Sequence, residues 1–228
     1  GATIHSLSNT LTIKTKETKA YVLDRQRFDE ISVQQAVNEG AELFLDNRII
    51  GFDGGPYSRH NKFSSKIIIG ADGARSFTAK HFNFPAIKNF IYCYEAELTD
   101  LNVANKTLVD VFLDNILFPG FFGWVVPVSN YGARIGFGVK DPSRLLKTRD
   151  IFLSKPEINQ LIDRGKKVRE FFAPIPISQR SVTQKGKVIL GGDAAGQVKA
   201  TTGGGVIFGS MCATKAAEST ANHIFDGK

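Results

Sequence analysis

Cysteine is nearly absent from this 228-residue chain; only Cys93 and Cys212 occur, and they form no close pair. Their spacing excludes a disulfide framework and a cysteine zinc site, and a reduced, intracellular (cytoplasmic) protein is the default. Long apolar runs are also missing. No segment approaches the roughly eighteen uninterrupted apolar residues of a membrane span. The opening GATIHSLSNT lacks the basic-then-apolar layout of a signal peptide. His5, His60, His81 and His223 have no metal-ligand spacing, so no metal site is expected. No G-x-G-x-x-G occurs, no internal repeat and no low-complexity linker.

What is there suits an ordinary globular chain. Apolar residues make up 42% and charged residues 22%, enough to bury a real core in one large or two small domains. Lys and Arg exceed Asp and Glu to give a net charge of +7. Such an excess can attract phosphates, acidic lipids or nucleic acid. The positive residues are scattered, with short clusters at Arg164–Lys167 and Lys185–Lys187. That pattern reads as a solvated basic surface, and no nucleic-acid partner is expected.

LTIKTKETKAYVLD reads as two strands around a polar turn, with Leu11 and Ile13, then Tyr21 and Leu23, on one face each. Asp24 is placed to cap a helix through Phe28, Ile31 and Val37 that ends at Gly40. AELFLD is a further strand, and GFDGGPYSRHN a turn-rich connection. Ile67–Ile69 is a short apolar strand of the kind buried on both faces. Phe90–Leu98, Leu108–Leu113, Phe121–Val128 and RIGFGVK alternate and predict an antiparallel sheet. Residues 142–163 read as two helices separated at Pro156. FFAPIPI is extended, KVILGGD is a second buried strand, and Gly205–Phe225 is helical. Mixed strands and helices around an antiparallel block give an α+β or α/β fold class.

The chemistry concentrates in VILGGDAAGQVKATTGGGVIFGS, residues 188–210. A strand running into a glycine turn and then a helix start gathers backbone N–H groups at one spot, where the helix dipole adds positive potential. An anion, or a ring carrying negative charge, can rest there. Asp193 beside that potential suits a polyol hydroxyl better than a phosphate, which it would repel. The plain structural alternative is a tight helix–strand crossing in which glycine only permits close packing.

GADGARS (70–76), VLDRQRFD (22–29) and GGDAAGQVKATTGGGVIFG (191–209), in this order with sheet segments between them, resemble three marks of FAD-dependent oxidoreductases of the p-hydroxybenzoate-hydroxylase fold. QVKATTGGG and FFGWVVP (121–127) resemble the geranylgeranyl reductase branch, archaeal digeranylgeranylglycerophospholipid reductases included. The resemblance covers nearly the whole chain. It implies a partial FAD-binding domain in residues 1–85, an antiparallel-sheet substrate domain in 86–180, and a return to the FAD-binding domain in 181–228. Arg25 would contact FAD from its helix start, and the backbone near Ile49 would lie by the adenosine. Asp72 and Gly73 would shape the FAD-binding half. Asp193 would bind the ribityl chain, with Gly203, Gly204, Gly205 and Val206 presenting amides to the flavin ring. Phe122, Trp124 and Pro127 would line a prenyl cavity; Phe122 replaces the usual tyrosine and Val126 the usual phenylalanine. From its alternating strand alone, without the resemblance, Trp124 reads as a core aromatic rather than a ligand-lining one.

The implied reaction is hydride delivery from reduced flavin to an isoprenoid carbon–carbon double bond, with NAD(P)H or ferredoxin as external reductant. No catalytic side chain is singled out. Peripheral contact with a membrane follows from a lipid substrate. Two other readings stand beside it: an electron-transfer-flavoprotein dehydrogenase, monooxygenase or halogenase relative, and a non-catalytic fragment. The family begins with a strand–GxGxxG–helix unit, so the chain reads as an internal piece of a longer enzyme.

Overall fold

The structure is a computed structural model, and residues 1–101 and 105–226 are described. The chain opens with β1 (Ala2–His5), β2 (Thr10–Ile13) and α1 (Arg25–Asn38). Short strands β3 (Gly51–Phe52), β4 (Pro56–Tyr57) and β5 (Ile68–Gly70) precede α2 (Phe77–His81). The long strands follow: β6 (Phe90–Thr99), β7 (Val109–Phe112), β8 (Gly123–Pro127) and β9 (Ala133–Val139). Next come α3 (Leu145–Leu153), α4 (Pro156–Arg164) and β10 (Lys166–Pro176). The chain closes through β11 (Gln184–Lys185), β12 (Val188–Leu190) and α5 (Val206–Ala221).

Two compact units emerge, Gly1–Ala41 with Ile91–Pro174 and Glu42–Phe90 with Ile175–Lys228. The first is built on a seven-stranded sheet in the order β10-β6-β9-β8-β7-β1-β2. β6 through β9 pair antiparallel, as their alternation predicts. β1 pairs parallel with β7, which makes the sheet mixed rather than purely antiparallel. One face carries Tyr94, Ala96, Leu98, Val125, Ile135 and Phe137, all buried, against Phe152 of α3 and Ile158 of α4. Phe152 meets Phe112, Phe118 and Phe137 edge-on with centroids 5.2–5.8 Å apart, an arrangement that favours aromatic quadrupoles. Pro156 sits in the first turn of α4, where its missing N–H costs nothing, and so starts a second helix instead of bending the first.

The strand expected at Tyr21 and Leu23 does not form. Leu11 and Ile13 of β2 pair with β1 instead, and residues 14–24 pass without a ladder to α1. Asp24 caps that helix, accepting from Arg27 N at 3.0 Å, and Gly40 follows its end with φ of +96°.

In the second unit β12 pairs parallel with β5 and antiparallel with β11. Ile68, Ala79, Phe84, Val188, Leu190 and Ala195 form its core. Two expectations are corrected here. Ile69 is 49% exposed, so β5 is covered on one face only. AELFLD forms no strand; among the described residues no strand pairs with it, and an extended segment becomes a strand only with a ladder partner.

Candidate functional site

Two strand ends meet in the second unit. Gly191 N donates to Gly70 O at 3.0 Å, which brings the GADG turn beside the GGD turn. In the first turn the Asp72 carboxylate accepts from Ser76 Oγ at 2.5 Å, Thr78 N at 2.8 Å and Thr78 Oγ1 at 3.0 Å. Burial pushes its pKa up, but these donated hydrogen bonds outweigh burial and hold it below the ordinary aspartate value. Gly73, at φ +79°, supplies the left-handed residue of the turn.

Arg180 ties the neighbourhood together, a role no sequence motif announces. Its Nε donates to Ala194 O at 2.6 Å and its guanidinium also donates to Pro85 O. Burial lowers its pKa, while the charge of Asp72 acts in the opposite direction.

The glycine-rich turn closes on itself. Gly203 N donates to Lys199 O at 2.9 Å, Lys199 N donates to Gly204 O at 3.0 Å, and Gly203 has φ of +70°. Gly205 then caps α5 with no side-chain hydrogen bond to the helix start, leaving its first-turn amides to other acceptors. A Cβ on Gly205 would stand 3.4 Å from Asp193 Oδ1. The Asp193 carboxylate and Gly205 at the helix start are thus neighbours, with Gly203, Gly204 and Val206 flanking Gly205 in the chain. A Cβ on Gly191 or Gly192 would meet nothing within 4 Å, so the backbone there lies open to approach. An amide-lined, glycine-floored cradle with one carboxylate is a fitting donor set for a polyol-bearing ring such as a flavin. Ile49 lies elsewhere in this unit, in a cleft of about 560 Å³ with Arg48, Arg59, His60 and Phe77.

The remaining expected residues lie in the first unit. Arg25 opens α1, exposed, with its guanidinium 3.4 Å from Asp29. Phe122 stacks on Phe121 at 4.3 Å, and Trp124 stands edge-on to Phe122 at 5.9 Å. Pro127 ends β8 opposite Ala133. Trp124 and Val126 are only partly buried, whereas Val125 between them is in the core. Trp124 therefore stands on the sheet face away from α3 and α4, and the core reading of this residue is set aside. Sequence reasoning missed Glu95, whose Oε2 accepts from Trp124 Nε1 at 3.3 Å. The signal was the parity of β6, where Cys93, Glu95 and Glu97 share one face; the partner becomes visible only with the register.

The mixed sheet, the parallel β5–β12 pair and the glycine-led helix make up a fold shared with solved flavoproteins. A geranylgeranyl bacteriochlorophyll reductase-like protein from Thermoplasma acidophilum superposes with a TM-score of 0.86 at 22% identity, over 100% of this chain and 62% of that one. A myxobacterial FAD-dependent halogenase shares the fold at 17% identity and a TM-score of 0.73, over 100% of this chain and 60% of that one. No protein-family model matches. By sequence the chain is similar to geranylgeranyl reductases. It is 30% identical to geranylgeranyl diphosphate reductase of Rhodobacter capsulatus over 91% of this chain and 55% of that protein. It is 25% identical to digeranylgeranylglycerophospholipid reductase of Methanocaldococcus jannaschii over 94% of this chain and 58% of that protein. The chain thus spans a little over half the length of the curated relatives it matches.

Proposed function

We propose that this chain works in an FAD-dependent oxidoreductase that reduces carbon–carbon double bonds of isoprenoid lipid chains. The observation that carries the reading is the Asp193 carboxylate against Gly205 at an uncapped helix start. Bound there, FAD supplies a hydride from its reduced ring. Asp193 accepts a hydrogen bond from a ribityl hydroxyl. The amides at Gly203–Val206 donate to the carbonyl edge of the ring, where the helix dipole favours negative charge. Arg25 contacts FAD from its helix start, the backbone near Ile49 lies by the adenosine, and the hydrogen-bonded Asp72–Gly73 turn shapes the FAD-binding half. Phe122, Trp124 and Pro127 offer an apolar wall to the prenyl chain.

In this assignment residues 1–85 and 181–228 serve the cofactor and 86–180 the substrate. The compact units divide the chain elsewhere, at 41/42, 90/91 and 174/175. NAD(P)H or ferredoxin is the external reductant. The substrate is reached at a membrane surface from the cytoplasmic side, helped by the net charge of +7. No helix among the described residues is long and apolar enough to cross a membrane.

Titration with FAD, followed by flavin absorbance and fluorescence, tests the reading. Saturable binding is expected, weakened about tenfold or more in Asp193→Ala, the loss of one charged hydrogen bond. Absence of FAD binding, or equal binding by Asp193→Ala, would overturn it.

A further inference from the structure

The open face of the seven-stranded sheet holds a carboxyl that the assignments above leave without a task. Glu95 on β6, Gly136 on β9 and Trp124 on β8 stand side by side in register. A Cβ on Gly136 would lie 2.5 Å from the Trp124 ring. The glycine is therefore what lets the indole lie across β9 and donate to Glu95. A Cβ on Gly138, the next residue of that face, would meet Phe121 at 2.5 Å, so a second aromatic fills the adjacent space. The result is a face on which two aromatic side chains lie over the glycines of β9, one of them hydrogen-bonded to Glu95.

The arginines of this face do not neutralise that acid. Arg169 on β10 pairs with Glu97 at 2.9 Å, and Arg134 on β9 stands 4.0 Å from the same carboxylate. Among the described residues Glu95 has no ion pair within 4.0 Å. Burial raises its pKa; Arg134, the Trp124 hydrogen bond and Arg169 oppose this, and Glu97 adds to it. Cys93, the other titratable group of this face of β6, is pushed up to about 12 by burial and by Glu95, so it stays a neutral thiol.

We propose that Glu95 is the acid that delivers the proton to the alkene carbon of a prenyl chain lying along Trp124. The proposal rests on the reductase reading and deepens it. The Oε–H bond of Glu95 breaks and a C–H bond forms at one alkene carbon. The hydride that completes the other carbon comes from a reduced flavin, which is oxidised. The carboxylate recovers its proton from water. Trp124 orients the carboxyl by holding one oxygen, and leaves the other for the substrate.

Trp124 is the single tryptophan of the chain, so its emission reports on Glu95 without any cofactor. A pH titration of that emission should show a transition above the ordinary glutamate value of about 4.3, abolished in the isosteric Glu95→Gln. A transition at or below that value, or one that survives in Glu95→Gln, overturns the proposal. In the flavin-loaded protein, Glu95→Gln should lower kcat for geranylgeranyl diphosphate by ~10²-fold with KM little changed, as removal of a general acid does. Glu95→Asp should recover part of the rate. Equal rates in wild type and Glu95→Gln also overturn the proposal. If wild type binds FAD and shows the transition but reduces no prenyl compound, the substrate reading fails with the proposal. If the rates hold and only the emission transition is missing, the acid assignment alone fails.

Discussion

Two carboxyls on this chain titrate in opposite directions, and each makes a measurable claim. Asp72 has a lowered pKa because three donors in its own turn favour the charged form. Its contribution to stability is present above the unfolded aspartate pKa of about 3.9 and is lost as pH falls through the lower folded value. Asp72→Asn should flatten the acid limb of a stability–pH curve and leave the neutral region's slope unchanged. Glu95 has a raised pKa from burial, so the native protein is penalised as pH rises through the folded value. Thermal melts should find Glu95→Gln more stable than wild type at pH 8 and indistinguishable at pH 4. Arg180 makes a third claim. Replacing it with Met leaves the carbonyls of Ala194 and Pro85 without their donor. A loss of about 2 kcal/mol in denaturant unfolding is expected, with Arg180→Lys intermediate.

At the scale of elements, the glycines of β9 sit where neighbouring side chains leave no room for a Cβ. Gly136→Ala would place a methyl against the Trp124 ring and Tyr94 O, both at 2.5 Å. It should cost about 1–3 kcal/mol and shift Trp124 emission, while the far-UV spectrum stays that of the wild type. The long strands were legible because one face is core and the other carries partly buried charge: Tyr94, Ala96 and Leu98 alternate with Glu95 and Glu97. The helix at Asp24–Gly40 was legible from its cap and its stop. Residues 42–46 were not, since their composition says only that they can extend, and pairing depends on a neighbour. The Asp193–Gly205 cradle could be argued from glycine spacing. The Glu95–Trp124 pair could not, because β6 and β8 share no ladder and are brought together by β9 between them.

Across the whole molecule, apolar surface is unevenly covered. Neither α1 nor α5 contains a buried residue, and Ile207 and Met211 are 74% and 64% exposed. Contiguous faces of this kind bind hydrophobic dyes. The native chain should enhance ANS emission at neutral pH with its far-UV and near-UV spectra intact, which distinguishes native exposure from a molten state. Dye binding that appears only when near-UV signal is lost would contradict the exposure of these helices.

The parallel ladder of β5 with β12 joins Ile68–Gly70 to Val188–Leu190. During synthesis at about 5–20 residues per second, β5 leaves the ribosome many seconds before its partner exists. The intervening sheet can assemble in that interval, since β6 to β9 pair with one another and with β1, and α3 and α4, which cover them, precede β12 in the chain. Until residue 190 emerges, the GADG turn has nothing to lean on. Nascent chains arrested before that point should be cut within residues 42–90 by a probe protease and spared within 91–140, so the order of translation is written into the order of protection.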